Sequence, residues 1–568
     1  MSVVLSEHLP LLASAPDGIQ KLRGLILELA VRGKLVPQDP NDEPASELLK
    51  RIANERTRLE AEGTCRKSKP TPAVSNDEQP FTLPEGWVWI RLGQIGDWGA
   101  GATPLRSNPR YYGGSIPWFK SGELTSDLIS DAEEHVTELA LKECSLRQNR
   151  TGDVLIAMYG ATIGKTAILA KPATTNQAVC ACTPNTGVFN RYLLTLLKAL
   201  KPNFIGQGAG GAQPNISREK IVATVAALPP EAEQHRIVAK VDELMALCDR
   251  LEAEQADAAS AHARLVETLL GTLTQSTDAA DLAANWQRLA EHFDTLFTTE
   301  ASIDALKQTV LQLAVMGRLV TQNPADEPAS ELLKRITAMR ALMESKGDCK
   351  KSKPLPPVDN EERHHSIPAS WEYVRLQEVC LTITDGTHQT PRYTESGRPF
   401  LSAQNVKPFR FMPESFRYVS EEDYQGYIKT TKPEFGDVLL TRVGAMIGEA
   451  AVIDKRMDFA IYVSLALLKP CQPFVSPEFI TLWLNSPFGT HSSIRDTLGR
   501  GVSAGNLNLG MIRAFALPLP PIGEQQRIVT RAHELMVLCD SLKADLITAR
   551  QRQATLADTL IESALEAA

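Results

Sequence analysis

The chain has 568 residues, 43% of them apolar and 23% charged, an ordinary globular composition with room for about three to four domains. No run of 18 apolar residues exists, which argues against a membrane-spanning helix, and Met1–Pro16 lacks the basic-then-apolar pattern of a secretory leader. The nine cysteines are scattered and only Cys180 and Cys182 lie close, which fits neither a zinc knuckle nor a disulfide framework, so a reducing, cytoplasmic setting is expected.

The net charge is −8. It is unevenly spread: segment 229–364 carries −8 and 520–568 carries −2, whereas 81–228 is +3 and 365–519 is neutral. Global acidity therefore does not exclude a nucleic-acid partner.

Taken in chain order, Leu22, Ile26 and Leu29 open a short amphipathic helix that Gly33 ends as its C′ residue. A second helix is expected over Ser46–Arg58, entered after Pro44. Segment 67–80 is Lys/Pro-rich and reads as a linker. A mixed α/β stretch follows Trp87, with a strand over Asp153–Tyr159 and a loop over Gly206–Gly211. From Ile237 the apolar positions Ile237, Val241, Leu244, Cys248 and Leu251 step by four and three, the seam of a coiled coil. Helical patterning runs on to about Leu273; a helix of about 45 residues is about 68 Å long. Its seam needs a partner, either the second such helix or a helix of another subunit. Segment 276–300, with Trp286 and Phe293, reads as a helical connector.

The same elements then recur. Leu306, Val310, Leu313 and Gly317 repeat the first helix, Ser330–Leu342 the second, and 350–366 the linker, in which His364 and His365 are expected to be solvated. Asp437–Val443 and Phe459–Leu468 read as strands and Gly499–Gly505 as a loop. Ile528, Ala532, Leu535, Cys539 and Leu542 begin a second long helix reaching about Leu565.

The chain is thus written twice. Asp42–Ile52 recurs unchanged as Asp326–Ile336, an offset of 284, and 22 of 34 positions agree between 19–52 and 303–336. Similarity then falls away over 96–148 and 380–432. It returns near the end of each unit, where Glu233–Val238 answers Glu524–Val529 and Glu243–Leu251 answers Glu534–Leu542, at an offset of 291. A frame kept twice around inserts that have diverged implies two related tasks with different content. The expected division is 1–80, a helical frame; 81–230, a first variable domain; 231–300, a long helix and connector; 301–364, the repeated frame; 365–521, a second variable domain; and 522–568, a second long helix.

Catalytic signatures are missing. Gly160–Thr166 resembles a phosphate loop but has three residues between its glycines where four are needed, and its copy carries Glu449 in place of Lys165. It is better read as a strand–turn–strand presenting Tyr159 or Arg442. No Asn/Asp-Pro-Pro-aromatic motif and no H-E-x-x-H stretch occurs. The inserts instead carry residue types that read base edges, in Gly/Ser/Thr-rich surroundings. These are Lys120, Gln207, Gln213, Asn215 and Arg218 in the first, and His388, Gln389, Arg392, Gln404, Asn405, Lys407, Arg500 and Asn506 in the second.

The frame phrases Leu35-Val36, Asp42–Ala45, Leu83–Trp87, Leu228–Pro230 and Glu233–Val238, with their second copies, resemble the specificity subunit of type I restriction–modification systems over nearly the whole chain. That resemblance implies an α+β protein. Two mixed α/β target recognition domains would be separated by two long helices pairing as an antiparallel coiled coil, with a pseudo-twofold internal repeat. Each domain would read one half of a split double-stranded DNA site, and the helices would set the spacing. Two methyltransferase (modification) subunits would dock on the frame, and motor–nuclease (restriction) subunits would join them. S-adenosylmethionine, ATP and Mg would belong to those partners; this chain would hold no cofactor or metal and have no catalytic residue. DNA-facing loops are implied at Thr103 with Lys120 and Ser121, at Thr390-Pro391 with Gln404 and Asn405, and at 206–217 and 499–508. The competing reading is a coiled-coil scaffold whose two inserts bind protein partners.

Overall fold

The computed structural model describes residues 10–62, 72–208, 214–347, 349, 351–495, 497 and 505–567. Its chain forms two compact units, one of residues 1–258 with 549–568, the other of 259–548. Among the described residues no helix is long and apolar enough to cross a membrane.

In the first unit the frame begins with the helix Gly18–Val31, closed by Arg32 and then Gly33 at φ 71°. A Cβ at Gly33 would meet Pro84 Cγ at 2.5 Å, so both backbone sign and space demand glycine. The helix Ala45–Ala61 follows. The long helix Glu231–Gln275 begins in this unit, with Glu231 and Glu233 in its first turn, where carboxylates suit the helix dipole. Its seam residues Ile237, Val241, Leu244 and Cys248 are buried in one core with Leu22, Leu25, Ile26 and Leu29. The nearest answer to the seam is therefore the short frame helix. Arg23 seals that packing with ion pairs to Asp249 (2.7 Å) and Glu252 (2.6 Å).

The second unit repeats this. The helices Glu300–Val315 and Ala329–Lys346 precede the long helix Ile522–Ala567. Lys307 pairs with Asp540 at 2.6 Å, the repeat counterpart of Arg23 with Asp249. The connector is helical over Ala279–Glu291 and Phe293–Leu296, and its Leu289, Leu296 and Phe297 join Leu306, Val310 and Leu313 in a core.

Each insert is closed at its root by one antiparallel ladder. Val88–Arg91 pairs with Val225–Leu228, and Glu372–Arg375 with Ala516–Leu519, in matching register. The Pro-Pro step and the long helix come next. The indole N–H of Trp87 donates to Glu233 Oε2, and that of Trp371 to Glu524 Oε2, both buried and both 2.9 Å. Arg236 pairs with Asp42 and Arg527 with Asp326, at 2.5 and 2.6 Å.

The Lys/Pro segments are strapped down where described. Arg91 Nε donates to Pro72 O (3.1 Å), Nη1 to Ala223 O (2.9 Å) and Nη2 to Glu78 (2.8 Å). Arg375 does the same with Pro356, Ala514 and Glu362. The Arg91 hydrogen bond holds the Glu78 carboxyl down at about 2. His364 and His365 are not solvated: they lie half-buried against Phe488, and desolvation pushes His365 down to about 4.

Within the first insert a five-stranded sheet runs 96–100, 179–184, 154–157, 166–169, 128–129, beside a three-stranded sheet of 135–136, 112–119 and 174–175. The second insert has four strands, 380–385, 465–470, 438–441 and 450–452, and a further four, 393–394, 417–419, 398–401 and 460–461. Val154↔Ile168 and Val438↔Val452 are equivalent pairings, so the two inserts share one fold despite their sequences. The single strand expected over Phe459–Leu468 is two: Ala460–Ile461 pairs with one sheet, a turn from Tyr462 to Leu465 follows, and Leu465–Pro470 joins the other.

Replacing Trp87 by Phe removes a donor from a buried carboxylate. This should cost the first unit about 2 kcal/mol, read as a lowered urea midpoint. Burial raises the carboxyl pKa of Glu233 and of Glu524, against hydrogen bonds from Trp87 and Gln38 and from Trp371 and Gln322. A carboxyl raised on folding favours the folded state most when protonated and loses that contribution as pH rises through its folded value. Glu233→Gln should therefore gain stability relative to the native chain as pH rises above the ordinary carboxylate value of about 4.3, measured by urea midpoints at a series of pH values; a constant difference would contradict it.

Candidate nucleic-acid interface

In both heads the structure joins a strand end to the far side of the glycine loop. Val154–Ala157 continues into Met158, Tyr159 and the turn Gly160–Gly164. Ile216 N–H donates to Met158 O (2.9 Å), Gly160 N–H to Pro214 O (2.8 Å), and Tyr159 bridges Asn215. In the second head Leu507 N–H donates to Arg442 O (2.8 Å), Gly444 N–H to Gly505 O (3.3 Å), and Val443 bridges Asn506. These bonds are repeat counterparts. Gly164 and Gly448 sit at φ 77° and 98°, and a Cβ at Gly164 would meet Lys201 Cγ at 2.7 Å. The motif that resembled a phosphate loop is thus a tight β-hairpin, as its strand–turn–strand reading expects.

Around this junction the first head presents Tyr159, 41% exposed, and the exposed Asn215. Arg218 is exposed, paired to Glu219 at 3.2 Å and bonded to Trp98 O. Gln207 lies on the helix Lys201–Gly208 with its amide on Asn203. Thr103 is exposed and donates to Gln177. Lys120 pairs with Glu134 at 2.5 Å, which raises its pKa, and Ser121 begins the single turn Ser121–Glu123. Glu134 also binds Arg106, and hydrogen bonds from Arg106 and then Lys120 lower its pKa. Glu134 gave no signal in the sequence beyond being one acid among several.

The second head presents His388, Gln389, Arg392, Gln404 and Asn506 at the surface. His388 Nε2 lies 3.0 Å from Asp385 Oδ2, and Lys407 Nζ 3.5 Å from Glu449. Gln213 and Arg500 lie outside the described residues.

Two expected base readers are corrected. Asn405 is 1% exposed and its amide is fully used inside: Oδ1 accepts from Ser402 N–H at 3.0 Å, and Nδ2 donates to Met412 O (2.9 Å) and Ser415 O (2.6 Å). Arg442, expected at the surface, is 5% exposed. Its Nε donates to Leu507 O, Nη1 to Asp385 Oδ2 and Val463 O, and Nη2 to Asn506 Oδ1, each at 3.0 Å. A buried guanidinium persists only when paired and hydrogen-bonded in this way. It ties the segment at 385–388, the turn at 462–465 and the loop end at 505–508 together. Met158 stands at this position in the first head, buried and apolar.

Two heads of one topology, rooted alike on a duplicated helical frame and differing in their loops, define a tandem recognition scaffold. The family described as "Type I restriction modification DNA specificity domain" matches residues 84–259 and 368–548, one match per repeat. The type I restriction enzyme EcoAI specificity subunit of Escherichia coli is 38% identical over 96% of this chain and 94% of its own length. The EcoEI specificity subunit of Escherichia coli is 35% identical over the same shares. A chain in a solved structure on complex assembly and conformational transition of the type I R-M system shares the fold at TM-score 0.50 and 20% identity, covering 86% of this chain and 99% of that one. The chain belongs to the specificity-subunit family of type I restriction–modification systems. It is the non-catalytic, DNA-recognising component of such a system, and the protein-binding scaffold alternative has no support.

Arg442→Met, which installs the first head's residue, should leave the core intact and release the junction. Hydrogen exchange at Leu507 N–H, whose carbonyl neighbour the guanidinium holds, should quicken by about ten-fold or more, while Ile216 N–H in the first head stays unchanged.

Proposed function

We propose that each head reads one half of a split, asymmetric double-stranded DNA target and that the long helices fix the distance between the halves. The observation that carries this is the junction repeated in both heads, Tyr159–Asn215 and Val443–Asn506, with like backbone bonds and unlike side chains. Base-edge readers on a common backbone platform give two specificities from one architecture. The proposed readers are Tyr159, Asn215, Arg218, Gln207, Thr103, Lys120 and Ser121 in the first head. In the second they are His388, Gln389, Arg392, Gln404, Lys407 and Asn506, with Gln213 and Arg500 from the loops.

The helices pair, in this reading, as an antiparallel coiled coil with pseudo-twofold symmetry. Within the first unit Ala557 and Ala564, from the end of the second long helix, share a core with Val241, Leu244 and Cys248. Lys21 pairs with Asp558 at 2.6 Å. Within the second unit Val266, Leu270 and Leu273, from the end of the first long helix, share a core with Cys539. An end of each helix beside the start of the other is what antiparallel pairing requires. Same-face half-sites then lie about one DNA turn apart, about 10–10.5 bp between centres.

Two modification subunits docked on the twice-written frame, with restriction subunits joining them in the cytoplasm, complete the assembly. S-adenosylmethionine, ATP and Mg sit on those partners. A +3 and a neutral head supply few phosphate contacts, and phosphate contacts dominate affinity, so the chain alone binds DNA weakly and the assembly tightly.

A photo-crosslinker at Ala161 and one at Ala445, repeat-equivalent and exposed on the two hairpin turns, test the reading. Assembled on a target duplex, the first should label one half-site and the second the other. Labelling of the same half by both would contradict it.

A further inference from the structure

Among the described residues, the non-glycine residues with positive φ are Asp17 at 56°, Ser145 at 51° and Phe409 at 63°. Ser145 follows the C-cap of the helix Glu138–Glu143, where a left-handed residue is routine, and Asp17, the N-cap of Gly18–Val31, is of a type that tolerates this region. Phe409 does not. It occupies the third position of the turn Lys407-Pro408-Phe409-Arg410, which joins the paired strands Val406–Lys407 and Arg410–Phe411. Turns with Pro second and a positive φ third take Gly or Asn there, because a side chain is strained. The chain nonetheless places a phenylalanine in this site and leaves it 44% exposed.

The hairpin is built to hold it out. Asn405 is buried beneath it, with its amide spent on Ser402, Met412 and Ser415. Phe411 roots it in the head's core, 5.5 Å from Phe459. Phe409 N–H donates to Ala450 O at 2.9 Å. Lys407 and Arg410 flank Phe409 in the turn; Lys407 pairs with Glu449 at 3.5 Å, and the charge of the exposed Arg410 helps to lower the Glu414 pKa. The hairpin is also continuous with the proposed reading surface. Lys407 reaches Glu449, which follows the Gly444–Gly448 turn, and that turn is bonded to Gly505. Met446, in the same turn, is exposed too.

Strain kept at an exposed apolar tip between two cations marks function rather than packing. From this we infer that the hairpin Val406–Phe411 is a DNA-contacting finger of the second head: Phe409 makes an apolar contact with a base of the half-site, and Lys407 and Arg410 engage the flanking phosphates. Apolar side chains contact thymine methyls in the major groove or enter between base steps, and basic neighbours hold such a finger in place. Among its described residues the first head shows no such hairpin; the strand Leu128–Ile129, beside Thr166–Leu169, borders its sheet. The inference rests on the reading that the second head binds DNA.

The test uses the full chain purified with its assembly partners, carrying Phe409→Gly or Phe409→Asn. Both residues accept the left-handed backbone, so thermal stability should hold or rise. Binding is measured to a duplex with both half-sites and to one with the second half scrambled. The native assembly should discriminate between them, and both variants should lose about ten-fold or more on the intact duplex and approach the scrambled value. Uracil in place of thymine in that half reports an edge contact. A 2-aminopurine signal that rises with the native chain and not with the variants reports insertion. Variants that bind as the native chain does, or lose affinity with neither base signature, would overturn the inference. Failure of the underlying reading shows separately, as a native assembly indifferent to the second half-site.

Discussion

A hydrogen bond from a buried indole to a buried carboxylate stands at the root of each head, Trp87 to Glu233 and Trp371 to Glu524. It joins the first strand of the insert to the first turn of the long helix. A hydrogen bond to a charged group contributes about 1.5–3 kcal/mol, and leaving such a carboxylate without its donor costs comparably. Next to it, Gln234 Oε1 accepts from Phe189 N–H and Gln525 Oε1 from Ser476 N–H, both at 2.8 Å. Each helix start is thereby fixed to both the entry and the interior of its head.

That constraint separates frame from content. With the ends of each insert paired in one ladder, the residues between them can change without moving the helix. The heads differ accordingly at their edges and junctions: five strands against four in the larger sheet, Met158 against Arg442, and a parallel edge strand against a hairpin with a strained tip. What stays is the meeting of the strand-end hairpin with the end of the glycine loop, held by the same backbone bonds in both heads.

The long elements were legible because their signals are local and repeated. The heptad steps from Ile237 and Ile528 need no tertiary information, and Gly33 and Gly317 announce their helix ends. Side-chain fates were less legible because partners lie far off in sequence. Asn405 and Arg442 are residue types that read bases, yet each is consumed by groups that folding brings in: Met412 and Ser415 for one, Asp385, Val463 and Leu507 for the other. Phe459–Leu468 reads as one strand because apolar periodicity does not show that Tyr462–Leu465 turns between two sheets. His364 and His365 look like linker residues until Phe488, more than a hundred positions away, covers them. Phe409 gave no sequence signal; only its backbone sets it apart.

The separation of frame and content is tested most directly by exchanging residues 96–228 for the corresponding insert of a relative and mapping the DNA sites methylated in cells that carry the assembled system. The account predicts sites with one half changed, the other half retained and the spacing between them unaltered. Methylation of an unchanged target, or sites altered in both halves, would contradict it.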